Sequence, residues 1–176
     1  MKFLIIIPAH NEENNISFCL ESLKKQNFQD FVCMIVNDGS TDRTAEIINN
    51  FKNQDSRFRV LDLETSEHSP GAKVVRTFDK GLQALDWKDF DVVCKYDADI
   101  VFPTNYLERI NQTFETNPKA GIVSGLVYIK NYKQNPEIKN LRNPNEDWAD
   151  FSNKNNEWIF ENLSSKNHVR GPIKVY

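Results

Sequence analysis

The sequence predicts an α/β protein with a mostly parallel sheet and helices on both of its faces. Short, nearly continuous apolar runs recur at 2–7, 31–36, 58–63 and 91–96, the length and character of strands buried on two sides. The segments between them repeat apolar residues at helical spacing. Parallel neighbours need crossover connections, and a helix is the usual one.

The first run, KFLIII, is ended by Pro8, which has no N–H to give a ladder, and reads as a central strand. Asn11 is placed to cap the next helix, Glu12 and Glu13 suit its first turn, and Ile16, Cys19, Leu20 and Leu23 recur at i, i+3, i+4 and i+7. FVCMIV (31–36) is the second strand. NDGSTD (37–42) then turns into a helix with Thr44, Ile47, Ile48 and Phe51 on its buried stripe and Ser40 or Thr41 as its cap. FRVLDL (58–63) follows. A loop with Ser69, Pro70 and Gly71 leads to a helix carrying Val75, Phe78, Leu82 and Leu85 on one side. DVVCKY (91–96) is the fourth strand. Beyond Pro103 a helix runs through Leu107, Ile110 and Phe114, and AGIVSGLVYI (120–129) reads as one more strand. Residues 130–157 are rich in Asn, Lys, Pro and Glu and read as irregular loop with Trp148 and Phe151 as anchors. A short helix around Trp158–Leu163 and an extended HVRGPIKVY close the chain.

A length of 176 residues suits one ordinary domain, and 39% hydrophobic with 27% charged residues is a soluble globular composition. A net charge of -3 provides no field to gather nucleic acid. No run approaches the roughly 20 apolar residues that cross a bilayer, and Phe3–Ile7 is too short for a secretory core. The chain therefore reads as cytoplasmic, with no transmembrane segment. Cys19, Cys33 and Cys94 lie in apolar segments without CxxC spacing and read as reduced core residues. His10, His68 and His168 are not spaced as a metal cluster.

Three polar motifs fall at the carboxyl ends of predicted strands, where open parallel sheets bind ligands: PAHNEE (8–13), NDGSTD (37–42) and DAD (97–99). Gly39 allows a tight turn that leaves Asp38 as an acceptor for a base N–H or a ribose hydroxyl; the same stretch also reads as a plain turn and helix cap. Lys73 and Arg76, a turn apart, either meet a diphosphate over this edge or form a solvated face. Asp97 and Asp99, set one residue apart, repel each other unless a cation lies beside them, and a hard dication with oxygen ligands relieves that repulsion.

In order and spacing, IIIPAHNEENNISFCLESLKKQ, VNDGSTDRTAEII and KYDADIVFP resemble the inverting family 2 glycosyltransferases of the GT-A fold, over residues 3 to about 130. The resemblance implies transfer of a sugar from a nucleotide diphosphate sugar, a UDP-sugar for preference, to a hydroxyl of a glycan or lipid-linked acceptor in polysaccharide synthesis. It implies a nucleoside pocket lined by Pro8, Ala9 and Glu12, with Asp38 on the base and Lys73 as the basic position near the nucleotide. Asp97 would lie near the ribose and metal, and Asp99 would hold Mn²⁺ or Mg²⁺ at the diphosphate, so that Asp97 and Asp99 carry the catalytic chemistry. Asp79 stands where the family more often has Asn. The family's general base lies beyond the RGPIKVY-like strand, so it is expected after Tyr176; Asp150, Glu157 and Glu161 are the nearest acidic residues, without the family's motif around them. One GT-A domain over 1–176 is expected, C-terminally truncated, with 1–103 binding the nucleotide and 104–176 beginning the acceptor half. Peripheral attachment at the inner membrane face would follow from a lipid-linked acceptor.

Other readings explain less. DADIV fits a haloacid-dehalogenase phosphatase with Asp97 as nucleophile, but that motif normally opens its fold. A sugar-nucleotide pyrophosphorylase needs a glycine-rich loop that Pro8–Glu13 lack. A non-catalytic nucleotide-sugar-binding module, or a catalytically incomplete fragment, is the alternative that the motifs themselves allow.

Overall fold

The computed structural model describes residues 1–64, 72–125, 128–130, 158–160 and 173–175. The elements in chain order are β1 (Phe3–Ala9), α1 (Ile16–Lys24), β2 (Phe31–Asp38), α2 (Thr44–Gln54), β3 (Phe58–Leu63), α3 (Ala72–Gln83), β4 (Val92–Tyr96), α4 (Tyr106–Thr116), β5 (Tyr128–Lys130), β6 (Trp158–Phe160) and β7 (Ile173–Val175), with a 3₁₀ turn at Trp87–Asp89. The main sheet has the order β3-β2-β1-β4-β7; its first four strands are parallel and β7 runs antiparallel to β4. The chain thus steps outward from β1 through β2 to β3, then crosses back to place β4 on the other side of β1. That reversal creates a crevice at the carboxyl ends of β1 and β4.

Alternation along the strands divides the core into two layers. Phe3, Ile5 and Ile7 join Cys33, Ile35 and Cys94 beneath α1, α2 and α4, with Ile16, Cys19, Leu20, Leu23, Ile48, Leu107 and Ile110 packed on them. Leu4, Ile6, Met34 and Val36 face the other way, toward Phe78, Leu82 and Leu85. Helices therefore cover both faces, as a parallel sheet requires. All three cysteines are free and buried, and burial pushes the Cys94 thiol up to about 12.

α3 runs against the strand direction, since Thr77 meets Asp38 while Gly81, one turn on, meets Val36 and Ile6. A Cβ on Gly81 would stand 2.6 Å from Val36 Cγ2 and 2.8 Å from Ile6 Cγ2, so only glycine lets the helix lie this close. The first turn of α3 consequently extends past the sheet edge. This corrects the expectation for Val75, which is 66% exposed, because the buried stripe is Thr77, Phe78, Gly81, Leu82 and Leu85.

Other boundaries also differ from expectation. Asn11 does not cap α1: its φ is 56°, a left-handed conformation that asparagine tolerates, and the helix begins five residues later at Ile16 with no acidic residue in its first turn. Neither Ser40 nor Thr41 caps α2. The N-cap position is Arg43, and the Thr44 N–H is met by the preceding Asp42, whose Oδ1 accepts it at 2.9 Å. AGIVSGLVYI is not one long strand. Gly121 lies in a bend, Val123 makes a lone bridge, and the absence of a side chain at Gly125 lets the backbone lie against the Tyr106 ring of α4. The Tyr128–Lys130 end pairs with Trp158–Phe160 in a separate two-stranded sheet. The helix expected around Trp158–Leu163 is therefore a strand where it is described, in keeping with the β preference of Trp-Ile-Phe. Ile173–Val175 is extended, as read. The loop around Ser69–Gly71 and residues 131–157 lie outside the described residues.

Candidate functional site

The loops after β1 and β2 are knitted into one layer by side-chain bonds. Asn11 N–H donates to Ser40 Oγ (3.1 Å), Thr41 N–H to Asn11 Oδ1 (2.8 Å), Glu12 N–H to Thr44 Oγ1 (2.8 Å) and Glu13 N–H to Asp42 Oδ2 (3.1 Å). Glu13 returns the contact by accepting the Arg43 N–H at 3.1 Å. Burial alone would raise the Asp42 carboxyl, but hydrogen bonds from Thr44 and Glu13 outweigh it and hold the group below its ordinary value. The motifs PAHNEE and NDGSTD are thus two halves of one rigid wall. His10 closes it, its Nδ1 lying 2.7 Å from the Asp38 carbonyl oxygen and donating to it.

Asp38 ends β2, and Gly39, at φ 62°, makes the turn that follows. Only 5% of Asp38 is exposed. Its Oδ2 accepts from Thr77 Oγ1 at 3.1 Å and lies 3.3 Å from Lys73 Nζ, both on α3. Asn37 beside it donates Nδ2–H to Asp62 Oδ1 (2.8 Å) and accepts the Ser40 N–H (3.2 Å), which fixes the turn from the β3 side. The carboxylate is thereby aimed by three elements.

β4 supplies the second carboxylate station. Lys95 follows Val93 by two residues and so lies on the α3 face, and it is ion-paired with Asp97 Oδ1. Ala98 is buried, Asp99 is exposed on the turn, and no ion pair among the described residues reaches it. Burial, then the nearby carboxylates of Asp99, Asp97 and Glu12, keep the Cys19 thiol protonated well above its ordinary value. The turn is pinned from below: Ser22 Oγ accepts the Phe102 N–H (3.1 Å), and Gln26 donates to the Pro103 carbonyl (2.7 Å) and accepts the Leu107 N–H (2.9 Å).

Of the residues expected to form a site, Pro8 and Ala9 lie at the end of β1, between Asp38 on β2 and Asp97 beyond β4. Glu12 is half-buried, its carboxylate accepting from Asn15 Nδ2 at 2.8 Å. Arg76 is exposed, whereas Lys73 turns inward to Asp38. His68, His168, Asp150, Glu157 and Glu161 lie outside the described residues. Sequence reasoning missed Lys95 and Thr77. Both carry a visible signal: Lys95 shares a strand side with Asp97, and Thr77 follows Lys73 by one helical turn. Among the described residues no group of three or more His, Cys, Asp or Glu could enclose a metal. Asp97 and the exposed Asp99, two hard carboxylates at one turn, are the residues that would hold a dication here.

A fold and edge of this kind define a class. The model of Glycosyl transferase family 2 matches residues 4–166, and the chain belongs to that family. It is 36% identical over 118 residues to the teichoic acid poly(glycerol phosphate) polymerase of Staphylococcus epidermidis, covering 64% of this chain and 15% of that protein. To the poly-beta-1,6-N-acetyl-D-glucosamine synthase of the same organism it is 29% identical over 126 residues, 72% of this chain and 28% of that one. Among solved structures, Staphylococcus aureus TarS (1–349) in complex with UDP-GlcNAc superposes with a TM-score of 0.58 at 27% identity, over 72% of this chain and 33% of that one. A mannosyltransferase of Pyrobaculum calidifontis, in complex with GDP-Man and Mn²⁺, gives 0.57 at 19% identity over 75% and 36%, a likeness of fold alone. The sheet and its helices are thus those of the GT-A fold. The chain spans a third or less of these first relatives' lengths.

Proposed function

We propose that this chain carries the donor-binding part of a metal-dependent, inverting glycosyltransferase that moves a sugar from a UDP-sugar to a hydroxyl of a glycan or lipid-linked acceptor. The observation that carries the reading is the placement of Asp38 and the Asp97/Asp99 turn on either side of β1 at the point where strand order reverses. Family membership and the UDP-GlcNAc complex of TarS support the choice of donor.

In this reading residues 1–103 bind the nucleotide and 104–176 begin the acceptor half. Pro8, Ala9 and Glu12 wall the nucleoside, and Asp38, steadied by Lys73 and Thr77, accepts an N–H of the base. Asp97 meets the ribose, and Asp99 offers its exposed carboxylate to Mn²⁺ or Mg²⁺. When bound, the dication supplies charge neutralisation for the departing nucleoside diphosphate. The acceptor hydroxyl attacks from the opposite face with a carboxylate as base, a role given to none of the described residues. Peripheral attachment at a membrane's inner face would bring this site to a lipid-linked acceptor; no described helix is long and apolar enough to cross a membrane.

Calorimetric titration of UDP, with Mn²⁺ present and again with the metal chelated, tests the reading. Binding that requires the metal is expected. Failure of UDP, GDP and dTDP alike to bind in the presence of Mn²⁺ overturns it.

A further inference from the structure

Two aspartates one residue apart pose a charge problem, and this fold already holds a partial solution. Lys95 lies two residues before Asp97 on the same side of β4, paired with Asp97 Oδ1. Its side chain is 15% exposed against 36% for Asp97, so the ammonium lies deeper than the carboxylate it neutralises. A lysine anchored on a central strand and flanked by β1 and β7 has little freedom to leave. Asp99, on the outer turn, has no such partner among the described ion pairs.

Resting on the donor-site reading above, we infer that Lys95 is a resident counter-charge of the Asp97/Asp99 turn: a positioning residue that fixes Asp97 and weakens the turn's hold on a dication. A metal arriving at this turn meets one unengaged carboxylate and one whose charge is largely cancelled, with an ammonium close behind it. Affinity for the metal alone is therefore low. It rises when a diphosphate adds its own oxygens and charge, so metal and nucleotide enter as one unit.

The test is Mn²⁺ binding, followed by the electron paramagnetic resonance signal of the free ion, without nucleotide and with UDP. Removing the ammonium in Lys95→Met should tighten Mn²⁺ binding without nucleotide by about tenfold, and narrow the gain that UDP brings. Lys95→Arg, which keeps the charge, should behave as the unaltered protein. Unchanged or weaker Mn²⁺ binding by a folded Lys95→Met protein overturns the inference. A second measurement needs no variant: the unaltered protein should bind Mn²⁺ about tenfold more weakly without UDP than with it, and equal affinities overturn the inference. If the unaltered protein fails to bind any nucleotide with metal, the donor-site reading falls; if it binds UDP with Mn²⁺ but Lys95→Met leaves Mn²⁺ affinity unchanged, only the role of Lys95 falls.

Discussion

Asp38 and Asp99 stand at the same edge of one sheet, with β1 between their strands, yet they are built in opposite ways. Asp38 is buried, takes a hydroxyl from Thr77 and an ammonium from Lys73, and is braced through Asn37 and Asp62. Asp99 is exposed, and the fold secures only the backbone around it, through Ser22 and Gln26. The first is a finished acceptor whose direction is set before any ligand arrives. The second is a charge left for something else to complete. A neutral, shape-defined base suits the former and a cation the latter.

The sharpest way to test this contrast is to neutralise each carboxylate and ask whether binding or folding suffers. Asp99→Asn should lower metal-supported UDP affinity about 100-fold, some 2.7 kcal/mol, with no change in melting temperature. Calorimetry and a thermal melt check it, and a large loss of stability would show that Asp99 is structural after all. Asp38→Asn should behave differently, destabilising the fold by about 2 kcal/mol because Lys73 and Thr77 lose a charged partner. It should also weaken UDP about tenfold whether or not metal is present, a comparison that urea denaturation and paired titrations make directly. Thr77→Val keeps shape and removes a hydroxyl whose single proton is shared between Asp38 Oδ2 (3.1 Å) and the Lys73 carbonyl (2.9 Å), so about 1 kcal/mol is expected, with nucleotide affinity falling only about twofold. Equal effects of Thr77→Val and Asp38→Asn on binding would mean that the hydroxyl, not the carboxylate, is what the ligand meets.

Acid is the mildest probe. Asp42 is held below its ordinary value by the Thr44 and Glu13 hydrogen bonds, and Asp55 by the side chain of Arg57. Groups lowered in the folded state stabilise it above their unfolded pKa of about 3.9, and that contribution is lost as pH falls through the folded values. Urea stability should therefore be level near neutrality and decline below about pH 4. A decline starting near pH 6 would point to other groups.

Much of this was legible in the chain. The strands of the sheet centre announce themselves because both faces are buried and their runs are nearly continuously apolar, and the helical stripes of α1, α2 and α4 fall where the spacing puts them. What failed was decided by distant partners. Asn11 looks like a cap until residues 40 and 41 arrive to bond it, and Trp158–Phe160 becomes a strand only because Tyr128–Lys130 lies alongside. Val75 fits the helical period, but the period cannot say where the sheet ends beneath it. At the candidate site the carboxylates were visible and their cations less so. Sequence alone leaves Lys73 between two orientations, and Lys95 reads simply as a strand residue.

The bare backbone at Gly81 has a mechanical consequence. Lys73 lies eight residues ahead of it along α3, about 12 Å at 1.5 Å per residue. Gly81 is therefore a fulcrum pressed on Ile6 and Val36, and the segment reaching Asp38 is the free arm of a lever. A single methyl group inserted at the fulcrum would tip that arm, and the displacement would be felt most at the end where the ammonium hangs. The grip on a buried carboxylate is thus set by the thickness of one residue at the opposite end of the rod.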